Sequence, residues 1–220
     1  MTRLPTLAIG TPDKLARHVA RQLDSLFPQD GADADQAAIT PHVPGALQRL
    51  APILAAVRAF ETGRFNHFNS LQYASWLYLL GNQVFRAQGH GVLAERLFCL
   101  NRALNAIDLF YAVDLPEVFF LSHGLGTVLG NAQYADRLVV FQNATVGRVG
   151  ADRPQIGRNV VLYPGAVVTG RSVLGDGCVV SAGTVLHNQV MPPDTIAVQQ
   201  DGRVVCVPRR KDYVGLYLAG

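Results

Sequence analysis

The chain has 220 residues, 49% of them hydrophobic and 16% charged, enough to bury a core in one large domain or two small ones. Net charge is only +3, and the basic residues are almost all scattered arginines with no run longer than Arg-Arg-Lys at 209–211, which argues against nucleic acid as a partner. Cys99, Cys178 and Cys206 fit neither a metal spacing nor a disulfide framework. No basic-then-apolar leader opens the chain, and no apolar run nears the roughly 20 residues of a membrane helix, so a soluble cytoplasmic protein without metal is expected.

In chain order, "DKLARHVARQLDSLF" (13–27) sets Leu15, Val19, Leu23 and Leu26 at three- and four-residue spacings, a helical stripe. "PQDGADADQAAITPHVPG" (28–45) is rich in Pro, Gly and Asp and predicts a linker. Helical periodicity resumes in "ALQRLAPILAAVRAF" (46–60). It returns in "NSLQYASWLYLLGNQVFRAQG" (69–89), which opens on the capping candidates Asn69 and Ser70 and stops at Gly89. "GVLAERLFCLNRALNAI" (91–107) predicts one more helix, with Cys99 on its core side.

The rear follows another rule. From Ile156 the chain divides into hexads: IGRNVV, LYPGAV, VTGRSV, LGDGCV, VSAGTV and LHNQVM. Their first positions are Ile156, Leu162, Val168, Leu174, Val180 and Leu186, and their fifth positions, Cys178 among them, are mostly small. Six residues turn a helix by about 600°, so a helix would scatter these positions over drifting faces. A simple strand would alternate with period two. A longer fixed period signals a solenoid whose repeats bury their apolar residue by stacking. Cys178 then points inward, which makes it packing and not a nucleophile. His187 stands near the last coil.

Between front and rear, Asp108 opens an apolar stretch that His123 nearly closes fifteen residues later. A carboxylate and an imidazole fit proton transfer: histidine accepts and returns a proton near neutral pH, and a carboxylate on its far nitrogen fixes the tautomer.

The hexads resemble those of the hexapeptide-repeat acyltransferases, and "LSHGLG" (121–126), Leu129-Gly130, "QNATVGR" (142–148) and "GADRP" (150–154) resemble the core of serine acetyltransferase. There the motifs run Leu-Asp-His-Ala-Thr-Gly, Ile-Gly, Gln-Ser-Val-Thr-Leu-Gly-Gly and Gly-Asp-Arg-His-Pro. The likeness covers about 69–196 and includes the fifteen-residue gap between the catalytic Asp and His.

The resemblance implies an α+β chain: a helical N-terminal domain (1–107), a left-handed parallel β-helix (108–198) and a tail (199–220) lying over the cofactor site. That handedness opposes the usual crossover rule, and only the resemblance supplies it. It further implies acetyl-CoA as co-substrate, a homotrimer or dimer of trimers with sites in intersubunit clefts, and His123 as general base oriented by Asp108. Gly147, Arg148, Tyr163, Pro164, Gly165, Ala182 and Gly183 would receive the cofactor. Backbone amides of 147–153 would face the oxyanion.

Departures concern the acceptor. Ser122 replaces the aspartate that helps hold the substrate ammonium, the histidine after Arg153 is absent, and Asn69 replaces a histidine. Ser122, Arg153 and Asn69 are the candidate acceptor-binding residues, with Arg153 suited to a carboxylate. Three readings follow: O-acetylation of serine or a serine-like amino acid, N- or O-acylation of an amino sugar or specialised metabolite, or a non-catalytic trimeric scaffold.

Overall fold

A two-residue strand, β1 (Thr6–Leu7), leads into α1 (Pro12–Leu26), which starts where Thr11 accepts a hydrogen bond from the Lys14 amide and Pro12 takes the first turn. This is a computed structural model, and it describes residues 4–220. Two compact units emerge: residues through Ala55 with Phe60–Asn105 and Leu109–Ala112, and Ala56–Ala59 with Ala106–Asp108 and Val113–Gly220.

In the first unit the stretch expected to be a linker is helical: α2 (Ala32–Ile39), a 3₁₀ turn at Thr40–His42, then α3 (Val43–Ala56). A distant residue explains the difference. Arg96 donates from Nη1 and Nη2 to the Asp35 carboxylate at 2.5 and 2.8 Å, both buried, and from Nε to the part-buried Phe27 carbonyl at 2.8 Å. Strand β2 (Arg64–Phe65) pairs in parallel with β1. Next comes α4 (Ser70–Gln88), capped at one end by Asn69 and ended by Gly89 at φ 76°, as the sequence predicts. Then follows α5 (Val92–Asn105), on which Cys99 is half-buried and not in the core. The apolar faces of these helices bury Leu15, Leu23, Leu47, Leu50, Trp76 and Leu97 completely. Among the described residues no helix is long and apolar enough to cross a membrane.

The second unit is the solenoid. Its first coil holds β3 (Phe119–Ser122), β4 (Val128–Leu129) and β5 (Gln133–Tyr134). The second holds β6 (Leu138–Phe141), β7 (Thr145–Gly147) and β8 (Gln155–Ile156). The third and fourth are β9 (Val161–Leu162), β10 (Val167–Thr169), β11 (Val173–Leu174) and β12 (Val179–Val180), β13 (Val185–His187), β14 (Val190–Met191). Each coil adds one strand to each of three parallel faces. Leu121, Val140, Leu162, Val180 and Ala197 lie in one register and are buried, so the coils stack apolar residue on apolar residue. The first positions of all six hexads are buried, and Cys178 is fully inside.

The chain leaves the coils through a hairpin, β15 (Thr195–Gln200) against β16 (Arg203–Pro208), whose turn residues Asp201 and Gly202 both have positive φ. The last residues then return along Ala56–Ala59: Val57 bridges Leu218, and Arg58 Nε donates to the Gly215 carbonyl at 2.9 Å. Tyr217 meets the Phe141 ring edge-on at 5.2 Å, and its hydroxyl lies 3.2 Å from that of Tyr163.

Candidate active site

The site begins at the corner where the first face turns into the second. In the regular coils three residues make that corner: Gln142-Asn143-Ala144, Pro164-Gly165-Ala166 and Ala182-Gly183-Thr184. The middle residue is left-handed each time, Asn143 at φ 58°, Gly165 at 69° and Gly183 at 68°. Its amide donates down to the first corner residue of the coil before: Gly165 to Gln142 at 3.0 Å, Gly183 to Pro164 at 2.9 Å and Asn143 to Leu125 at 2.8 Å.

Leu125, Gly126 and Thr127 therefore occupy the three corner places of the first coil. Ser122 ends the strand before them, paired with Phe141. His123 and Gly124 are two extra residues. The insertion is closed by Leu125 N donating to His123 O at 2.7 Å and Thr127 N to Gly124 O at 3.0 Å. It holds His123 at φ 51°, a region that histidine visits more readily than most side chains. Gly124 turns inward, where an added Cβ would meet Ile107 Cδ1 at 2.7 Å. The imidazole is consequently exposed beyond the coil edge.

Asp108 stands in the ladder beside Val128, one coil of twenty residues below it. Its amide donates to Thr127 O at 2.9 Å and its carbonyl accepts from Leu129 N at 3.0 Å. Asp108 thus follows the same corner that His123 enters. Among the described residues, no hydrogen bond is made to the His123 ring.

The other candidates are dispersed. Ser122 is buried at 7% exposure, at the end of β3. Gly147 closes β7 with open space where a side chain would point, and Arg148 beyond it is exposed. Pro164 and Gly165, Ala182 and Gly183 are the corners stacked above Leu125 and Gly126. Tyr163 stacks on Phe141 at 5.1 Å and meets the tail through Tyr217. Burial and these phenol neighbours push its pKa well above the ordinary tyrosine value. Asn69 belongs to the helical unit, where its side-chain oxygen caps α4 by accepting from the Leu71 and Gln72 amides at 3.1 and 3.3 Å.

Arg153 is exposed in a loop of seven residues, 148–154, which stands where the next coil has the three residues 170–172. Val149 and Asp152 pair with each other across Gly150 and Ala151, at 2.8 and 3.1 Å. Those two amides are spent within the loop and do not face an oxyanion. This loop follows β7, whereas the His123 corner precedes β4 on the same face. The width of a face separates them within one chain, about three residues of strand or 10 Å.

Residues 153–188 match the family model described as bacterial transferase hexapeptide (six repeats). The chain is 28% identical over 142 residues to a serine acetyltransferase of Staphylococcus xylosus, covering 60% of this chain and 65% of that one. The structure of Neisseria gonorrhoeae serine acetyltransferase superposes with a TM-score of 0.73 at 18% identity, over 93% of this chain and 82% of that one. A serine acetyltransferase in complex with CoA gives 0.70 at 20% identity, over 89% and 85%. The chain carries a hexapeptide-repeat β-helix. Its coils form the left-handed parallel type, and its likeness is to serine acetyltransferase. It spans 65% of the Staphylococcus relative's length, just under two thirds.

Sequence reasoning singled out His123 without seeing that it is an insertion. The signal was present in the spacing: "SHGLGTV" (122–128) has two residues more than its register partner "FQNAT" (141–145).

Proposed function

We propose that this chain is an acetyl-CoA-dependent O-acetyltransferase acting on the hydroxyl of serine or a serine-like amino acid. The observation that carries it is the two-residue insertion that lifts the His123 imidazole out of a corner flanked by Asp108. The likeness to serine acetyltransferases, one in complex with CoA, supports the same reading.

In this mechanism the acceptor hydroxyl attacks the thioester carbonyl carbon while His123 removes its proton. The tetrahedral intermediate collapses, the C–S bond breaks, and the imidazolium returns the proton to the departing thiolate. The products are an acetyl ester and free CoA thiol. Asp108 holds the far ring nitrogen and stabilises the imidazolium, an effect of general-base type worth about 10²–10⁴-fold. Catalytic hydrogen bonds are often open in unliganded sites and tighten around substrate, so the pair closes on binding.

Arg153 receives the acceptor carboxylate bidentately. Because it sits a face-width away from His123 on its own chain, one site uses His123 of one protomer and the loop of its neighbour. A homotrimer with three intersubunit clefts meets that requirement. Gly147 and the corner residues Gly165, Ala182 and Gly183 leave room for the pantetheine arm.

Ser122 favours a second reading of the acceptor. A hydroxyl there supplies no charge for an ammonium group, so a hydroxyl- or amine-bearing sugar or a modified amino acid competes with serine. Thiol release from acetyl-CoA, followed with L-serine and a panel of such acceptors, tests both. Activity that survives His123→Ala refutes the mechanism, and a clear preference for plain L-serine discards the second reading.

A further inference from the structure

Attack on a thioester gathers negative charge on its carbonyl oxygen, and a hydrogen-bond donor has to meet that charge. The backbone donors around the His123 corner are taken. The amides of Leu125, Gly126, Thr127 and Asn143 go to the carbonyls of His123, Ala106, Gly124 and Leu125, at 2.7 to 3.0 Å. Those of Val149 and Asp152 close their own loop.

One side chain at this corner is left over. Gln142 stands between Phe141, which is in register with Ser122, and Asn143, which is bonded to Leu125. In the coil below, the residues between Ser122 and Leu125 are the inserted His123 and Gly124. Gln142 is therefore the residue of the second coil beside the insertion, one strand spacing of about 4.8 Å from the coil that carries it. The side chain is half-buried, and its Oε1 is enclosed with no hydrogen-bond partner among the described residues. Its Nε2 makes no hydrogen bond among them either and is not enclosed.

The carboxamide thus keeps its oxygen inside and its two N–H donors toward open space. A buried carbonyl oxygen without a partner is tolerated better than a buried donor, which favours this orientation over the flipped one. The enclosed oxygen still costs folding free energy, so the residue is held here at a loss to stability. Asn143, the neighbouring carboxamide, is turned away: its Oδ1 lies against Gly126, in the space a side chain there would need.

We infer that Gln142 is a further catalytic residue, whose Nε2–H donates to the oxygen of the tetrahedral intermediate. As the acceptor oxygen bonds to the carbonyl carbon, the C=O π pair moves onto the carbonyl oxygen, and the Gln142 amide hydrogen-bonds to it without giving up its proton. When that pair returns, the C–S bond breaks and the thiolate takes the proton held by His123. The inference rests on the proposed acyl transfer and adds the donor for which the spent loop amides leave a place.

Gln142→Met tests it, because methionine keeps the length and removes the donor. Thiol release from acetyl-CoA, with the acceptor that wild type uses best, is expected to fall about 10²–10³-fold in kcat while both KM values stay within about twofold. The same variant is expected to melt at or above the wild-type temperature, since the enclosed, unpaired oxygen is gone. Gln142→Glu, equal in shape but negative beside the oxyanion, is expected to be no more active than Gln142→Met, and Asn143→Gly is expected to keep its kcat. Turnover by Gln142→Met within about threefold of wild type overturns the inference, as does a raised acceptor KM with kcat intact or a melting temperature that falls with the activity. Each of those results leaves the His123 mechanism standing. Wild type that releases no thiol with any acceptor overturns the proposed function itself.

Discussion

Leu125 holds the place in its corner that Gln142 holds one coil later, although it stands three residues beyond the strand-end Ser122 and Gln142 only one beyond Phe141. The difference is His123 and Gly124. Deleting the two together converts Ser122-Leu125-Gly126-Thr127 into the regular corner. The shortened chain is expected to fold with a melting temperature close to wild type and to release no thiol from acetyl-CoA. Gly124→Ala is expected to cost about 1–3 kcal/mol, the range of overpacking, because the methyl would meet Ile107 Cδ1 at 2.7 Å and the fixed Leu121 Cβ at 3.3 Å. Circular dichroism melts beside the thiol assay separate the two variants.

Asp108 commits its backbone to the ladder through both its amide and its carbonyl, so its side chain can be changed without unzipping the coil. Asp108→Asn keeps the shape and removes the charge. The expected result is a kcat lower by about 10²–10⁴-fold with KM nearly unchanged, as for a group that orients and stabilises an imidazolium. A fall in melting temperature comparable to the loss of activity would make the residue structural instead.

The hexads were legible because each coil demands an inward apolar residue at a fixed interval, and Ile156 through Leu186 meet it without a gap. Helix α4 was legible from its caps at Asn69 and Gly89. Helix α2 was not, since its Asp- and Gly-rich neighbourhood signals a linker locally and its decisive partner, Arg96, lies 61 residues away. At the site, residue types and spacing pointed to Asp108 and His123, but not to the separation of His123 and Arg153 across one face. That separation depends on which corner each loop follows, and counting hexads from Ile156 does not reach the earlier, irregular coils.

The Arg96–Asp35 pair makes a prediction about the helical unit. Both side chains are buried, at 11% and 6% exposure, and the guanidinium is held from two sides. Replacing such a pair together by apolar residues is often harmless, but removing one partner strands a buried charge. Asp35→Ala is expected to destabilise the unit by about 3–5 kcal/mol in urea unfolding, and Asp35→Ala with Arg96→Met to recover much of that loss. A double variant no better than the single one would place the stabilisation in the Arg96–Phe27 carbonyl bond.

His18 and His67 give the unit a pH dependence of definite sign. Their rings lie 5.1 Å apart, and His18 also meets Tyr73 edge-on at 6.0 Å. Burial lowers the pKa of both, the His67 charge lowers that of His18 further, and His67 Nδ1 is enclosed with no hydrogen-bond partner among the described residues. The unfolded chain, with ordinary histidine values near 6.5, binds more protons than the folded one as pH falls, so the folded state loses stability in that direction. Stability is complete above about pH 6.5 and declines below it, toward the lowered folded values. Thermal melts of wild type against His18→Gln and His67→Gln between pH 7.5 and 5 check this: each variant is expected to show a flatter decline than wild type. Parallel curves would mean that the two rings titrate alike in the folded and unfolded chain.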